Sequence, residues 1–236
     1  MIKKILIVFI LVYISAFAYN KEMNNLYNAY YNSNTYDELK DLIKKVENLD
    51  VLSVEKQTYS NLILIIDMYT NPKSKRESYK ILNENIKTNT PLKSQSDADY
   101  LASVADVMST AINYSPPLNE IIKLSSKASE LYDTALKINP NHFPSLLGKA
   151  ILTAFTPPFV GGGIDKAMPI FKKSESNAKE KWEKHIVSLW VSQVYLKNND
   201  KANYEKYMNT AKSIFSDGAF LKQILEKNAS GKSMFN

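Results

Sequence analysis

Between Ala128 and Ala150 the chain reads ASELYDTALKINPNHFPSLLGKA, and no other stretch constrains its fold as tightly. Ala128, Tyr132 and Ala135 stand four and then three residues apart, which places them on one face of a helix. Pro140 follows where that helix must stop, and Leu146 and Ala150 open a second one. Small residues on a helix face allow a neighbouring backbone to come close, and the large ring of Tyr132 fills the space left between them. The segment is a pair of helices built to stack against other pairs.

The same grammar recurs along the chain. Leu26, Tyr27 and Tyr30 form an apolar stripe at helical spacing. Asn32-Ser33-Asn34 breaks it, and Leu39, Ile43 and Val46 carry a partner helix. A second pair places Leu62, Ile65, Ile66 and Tyr69 before a break at Asn71-Pro72, with Ser78, Leu82 and Asn85 after it. In the third, Leu101, Val104, Ala105 and Met108 suit a first helix that starts from Ser94 or Ser96 as N-cap. Tyr114-Ser115-Pro116-Pro117 then interrupts, and a long helix is expected from about Leu118 to Ile138. Phe143 to Phe155 and the helix after Gly163, with Ala167 and Phe171 on its face, make the fourth pair. Trp182–Lys197 and Ala202–Phe215 make the fifth. Asp217-Gly218 supplies a stop, and Ala219 to about Lys227 reads as a helix that covers the last repeat. The polar tail after Asn228 is expected to be loose.

This pattern resembles the tetratricopeptide (TPR) repeat, a helix-turn-helix unit of about 34 residues. The likeness is clearest over residues 118–215, extends to 20–48, and is degenerate between. It implies an all-α fold: a right-handed solenoid of about five helical hairpins with a C-terminal capping helix, spanning 19–228, with 229–236 as a flexible tail. In length, export and degenerate central repeats the chain is also similar to the periplasmic TPR-like proteins associated with TRAP-type transporters.

The address is read from the N-terminus. Lys3 and Lys4, an apolar run from Ile5 to about Ile14, and Ala16-Phe17-Ala18 make a secretory signal peptide over residues 1–18, cut after Ala18. The alternative, an uncleaved anchor, is opposed by a run shorter than the roughly 20 residues that a spanning helix needs. The expected location is therefore periplasmic or secreted. There is no cysteine, so disulfides, thiol catalysis and a lipid-bearing cysteine are all excluded. The full chain carries 30 basic and 24 acidic residues, and loss of Lys3 and Lys4 with the leader would leave 28 against 24, or +4. The surplus is spread without a Lys/Arg block, which gives no nucleic-acid patch.

Motifs for chemistry are missing. The two histidines, His142 and His185, do not stand at metal-ligand spacing. No Gly-x-Ser-x-Gly element or phosphate-binding loop occurs, and no cofactor is expected. The reading is of a non-enzymatic protein that holds a protein or peptide partner in its concave groove. The alternative is a transporter-associated component that binds a small hydrophobic ligand near Ile151, Phe155 and Phe159 and has a solute-binding protein as partner. In TPR arrays the first helix of each pair lines the groove, and the resemblance carries this role onto Asn28, Tyr31, Leu147, Ile151, Phe155, Gln193 and Lys197. The loop Pro157-Pro158-Phe159-Val160-Gly161-Gly162-Gly163 is expected either to wrap Phe155 and Phe159 onto neighbouring helices or to border the site.

Overall fold

The computed structural model describes residues 19, 21–89 and 97–235. Among them there is no strand, and eleven α-helices follow one another. They are α1 (Lys21–Tyr30), α2 (Lys40–Glu47, entered through a 3-10 turn at Asp37–Leu39), α3 (Ser53–Thr70), α4 (Lys75–Thr88), α5 (Ala98–Ile112), α6 (Leu118–Ile138), α7 (Phe143–Phe155), α8 (Ile164–Asn177), α9 (Lys181–Lys197), α10 (Lys201–Ile214) and α11 (Ala219–Ala229). No helix among the described residues is long and apolar enough to cross a membrane. The export signal at 1–18 and the N-cap choices Ser94 and Ser96 lie outside the described residues. The N-cap of α5 is Asp97, whose carboxylate accepts from the amide of Tyr100 at 2.9 Å.

The helix ends follow from local chemistry. Ser74 and Asp200 cap α4 and α10 by accepting from the amides of Glu77 and Asn203, and Glu180 with Glu183 forms a reciprocal capping box on α9. After α7 the chain turns through Pro158–Val160 and leaves it with Gly161 and Gly163 at φ of 96° and 104°, a backbone region that side chains rarely tolerate.

Successive pairs pack as the helical faces require. α5 lies on α6, α7 on α8 and α9 on α10, while α3, α5, α7 and α9 also touch in sequence as an inner row. Ala128, Tyr132 and Ala135 are fully or almost fully buried, with Gly148 of α7 against the Tyr132 ring. The expected second pair is looser: the backbone of α4 runs closest to α5, not α3. Between these helices lies a buried polar knot. Asn61 of α3, wholly shielded, bonds Asn89 and Ser103 at 3.1 and 3.0 Å, and Asn85 and Asn89 donate back to it. Amide–amide bonds there do the work that apolar contacts do elsewhere.

The inner row closes on itself. α9 packs against α1, so the first and last pairs meet. Trp182 stacks on Tyr27 with centroids 4.3 Å apart, and its Nε1–H donates to Asn24 at 2.9 Å. The amide of Ala219 donates to the Ser33 carbonyl at 2.9 Å, and Gly218 lies so close to the Tyr31 carbonyl that a Cβ would stand 2.4 Å from it. Tyr19, Tyr27 and Tyr31 pack on both the N-terminal and the C-terminal apolar clusters. The tail does not hang free: Met234 donates its amide to Gln193 Oε1, and Phe235 packs on Phe155 and Trp190.

Candidate functional site

Where the first and last pairs meet, the packing is aromatic. Tyr27 projects from α1 and Tyr31 from the turn directly after it, Tyr69 from the end of α3, and Trp182 and His185 from the first two turns of α9. Phe220 of α11 reaches across to Tyr31, Tyr69 and Trp190 at centroid distances of 6.3 to 6.4 Å. These residues come from four helices that are distant in sequence.

One carboxylate sits among them. Asp106 interrupts the otherwise apolar first helix of the third pair, is enclosed by protein, and yet keeps part of its surface accessible. Tyr132 donates its hydroxyl to Asp106 Oδ1 at 2.6 Å, and Ser109 Oγ lies 3.4 Å from the same hydroxyl. Burial pushes the Asp106 carboxyl up from its ordinary 3.8 to about 7, against the opposing pull of the Tyr132 hydrogen bond and the nearby His142. The phenols of Tyr19, Tyr27 and Tyr31 are raised well above their usual value, by burial first, and each also feels the charge of Asp106. α1 and α5 are not packed side by side. The charge is felt without direct packing of the two helices.

A second polar chain borders it. His142 Nε2 lies 2.8 Å from Asp99 Oδ1, and its Nδ1 lies 2.7 Å from Ser145 Oγ. Because a carboxylate only accepts, Nε2 carries the proton and Nδ1 accepts the serine hydroxyl. The order Asp–His–Ser is that of a hydrolytic triad, but Ser145 is 0 % exposed in the first turn of α7. A nucleophile must reach a carbonyl carbon, and this hydroxyl reaches nothing outside the protein. Its role is to secure the start of α7. Among the described residues no group of three or more His, Cys, Asp or Glu side chains converges as a metal site would require.

The residues expected from sequence fall into three groups. Tyr31 packs against Trp182, His185 and Phe220, and Asn28 Oδ1 is sealed from solvent without a hydrogen-bond donor among the described residues. Ile151 is partly buried against the C-terminal cluster and Leu147 is buried within it. Gln193 is a correction: it is 0 % exposed and holds Asn228 and the Met234 amide, which makes it a structural clamp and leaves no ligand-facing surface. Lys197 is exposed at the end of α9. The loop after α7 is corrected too. Phe159 is 88 % exposed, not tucked in, and Phe155 is 51 % exposed while its ring meets Trp190 and Phe235. Gly162, with a Cβ position 2.2 Å from the Thr156 carbonyl, folds the loop on itself and turns Phe159 and Val160 outward.

Surface hollows lie elsewhere. One of about 500 Å³, bounded by Glu22, Lys44, Lys45, Asn48 and Leu49, is open to solvent between α1 and α2. The strongly shifted carboxyl is that of Asp106, which makes its surroundings the better candidate. Asp106, Tyr132 and Trp182 were not singled out as site residues from sequence. The available signal was a lone acid inside LASVADVMSTAI, since an unpaired carboxylate on a buried face is costly to keep. No protein-family model matches the chain, and no curated protein matches it.

Proposed function

We propose that this chain is an exported, non-enzymatic binding protein of TPR-like build whose closed interior holds a small ligand. The observation that supports this reading is the meeting of α1 with α9 and of Tyr31 with Phe220 of α11, near which Tyr19, Tyr27, Tyr31, Tyr69 and Asp106 stay partly accessible. A groove for an extended peptide needs open ends, whereas an aromatic-lined interior with few polar groups suits a compact molecule. Among the two expectations from sequence, closure favours the small ligand, and the transporter-associated proteins it resembles supply the biological setting. Native mass spectrometry of the protein purified gently from its own envelope tests this. A bound small molecule lost on Trp182→Ala supports it, and a ligand-free protein across several preparations refutes it.

A second reading, a protein-binding adaptor, is favoured by one feature: Phe155, Phe159 and Val160 expose apolar surface together at one loop. Retention of specific envelope proteins by the native chain, lost in Phe159→Ser, would support that reading.

A further inference from the structure

We infer that His185 is a pH-sensitive latch on the seam where the first and last pairs meet: once protonated it has an N–H with no acceptor, and the contact of α1 with α9 loosens in acid. This goes beyond the ligand reading above and does not depend on it.

The position comes first. His185 stands three residues after Trp182 on α9, so the two side chains share a face of that helix. Its ring lies 5.4 Å from the ring of Tyr31, which directly follows α1, and 5.1 Å from that of Phe215 at the end of α10. Tyr31 is the hub of the seam. Its ring is parallel to Trp182 at 6.5 Å and meets Phe220 of α11 at 6.3 Å, and its carbonyl lies against Gly218. One imidazole therefore touches both sides of the junction.

The hydrogen bonding supplies the switch. His185 is 0 % exposed, and its Nδ1 lies 3.0 Å from the Ala211 carbonyl. A carbonyl only accepts, so Nδ1 carries the proton and Nε2 is left as a bare lone pair. That atom has no partner among the described residues. In the neutral ring the cost is one unmatched acceptor. Protonation turns it into an unmatched donor on a charged ring shut away from water, which is far more costly.

No neighbour offsets that charge. The helices packed on α9 are α1, α7, α8 and α10, and among the described residues none of them pairs a charged side chain with this ring. Tyr31 is the titratable group in contact, and burial raises its phenol well above the usual value, which keeps it neutral. On α9 itself Lys181 and Lys184 are exposed, and Glu183 is committed to the amides of Lys179 and Glu180. Burial accordingly lowers the His185 value below its ordinary 6.5, against the opposing pull of the Ala211 bond.

The sign is definite. A histidine held neutral by the fold contributes stability that is fully present above 6.5 and is lost as pH falls through the lower folded value. Asp106, whose raised carboxyl takes up its proton over an overlapping range, acts in the opposite sense. The latch must therefore be read at the seam and not from global stability.

The test is amide hydrogen exchange of the whole chain at pH 7.5 and pH 5, expressed as protection relative to an unstructured chain at the same pH. The expected result is that protection in α1 falls about tenfold or more at pH 5, while that in α6 holds within about threefold. In His185→Phe, which keeps a ring but has no titrating nitrogen, α1 protection should be the same at both pH values. Unchanged α1 protection in the wild type, or an equal fall in His185→Phe, overturns the assignment. Imidazole NMR of the wild type gives a second reading that does not depend on the variant folding, since the chain has only two histidines. His185 should titrate below 6.5 in step with the exchange in α1, and titration at or above 6.5 overturns the assignment as well.

Discussion

Replacing Asp106 by Asn should stabilise the protein above neutral pH and leave it almost unchanged in acid. The folded chain raises this carboxyl from 3.8 to about 7, because burial disfavours the charged form. A raised acid binds its proton more tightly in the folded state than in the unfolded one. Its protonated form is therefore fully compatible with folding below the unfolded value near 3.8. As pH climbs from there to about 7, stability falls, and above 7 the whole penalty of holding an ionised carboxylate is present. A shift of about three pH units corresponds to roughly 4 kcal/mol. Asp106 keeps some accessible surface, so water offsets part of this and a gain of about 2 kcal/mol is the expected yield at pH 8. Asn is nearly isosteric and its Oδ1 still accepts from Tyr132, so little packing is lost. Urea unfolding of wild type and variant at pH 4.5, 6 and 8 reads the difference directly. The difference should be smallest at pH 4.5, where about a quarter of it is already present, and should grow progressively toward pH 8. A difference that does not vary with pH, or that has the opposite sign at pH 8, would show that Asp106 is not an enclosed carboxyl and would refute the reasoning.

Other perturbations test the packing. Trp182→Ala removes the stack on Tyr27, the edge contact to Phe143 and the bond to Asn24, and should cost about 3–5 kcal/mol in urea melts. Amide exchange in α1 should rise in that variant more than exchange in α6. Gly148→Ala would place a Cβ 2.4 Å from the Tyr132 ring, so a loss of about 1–3 kcal/mol is expected by thermal denaturation. Gln193→Ala frees Asn228 and the Met234 amide, and limited proteolysis should then trim the C-terminus faster than in wild type. Phe159→Ser should leave stability within about 0.5 kcal/mol, because the ring is already 88 % exposed; a larger loss in calorimetry would mean that the loop is packed.

Much of the architecture was legible in the sequence because it is written locally. Leu118–Ile138 and Phe143–Phe155 are the helices that periodicity and Pro140 predict. The small face of Ala128 and Ala135 buries as its spacing requires. The central repeats were harder to read because Asn61, Asn85, Asn89 and Ser103 replace apolar packing with hydrogen bonds, and such partners are found by geometry, not by hydrophobic pattern. The loop after α7 was read in the wrong sense for Phe159. Its glycines permit a tight fold, but whether an aromatic next to them points in or out depends on the Thr156 backbone that Gly162 approaches.

The candidate site divides the same way. Repeat register assigned Asn28, Tyr31 and Gln193 the same groove-facing role, yet Gln193 is taken by the returning C-terminus. By itself the sequence determined the helices, their ends and which faces are apolar, since each depends on residues three or four apart or on a neighbouring breaker. Only the tertiary structure decided that the row of helices closes, because closure rests on pairs such as Asn24 with Trp182, 158 residues apart, and Ser33 with Ala219. No periodicity encodes such pairs, because their partners are set by how distant helices pack; the burial that raises the Asp106 carboxyl is likewise a property of the packed structure.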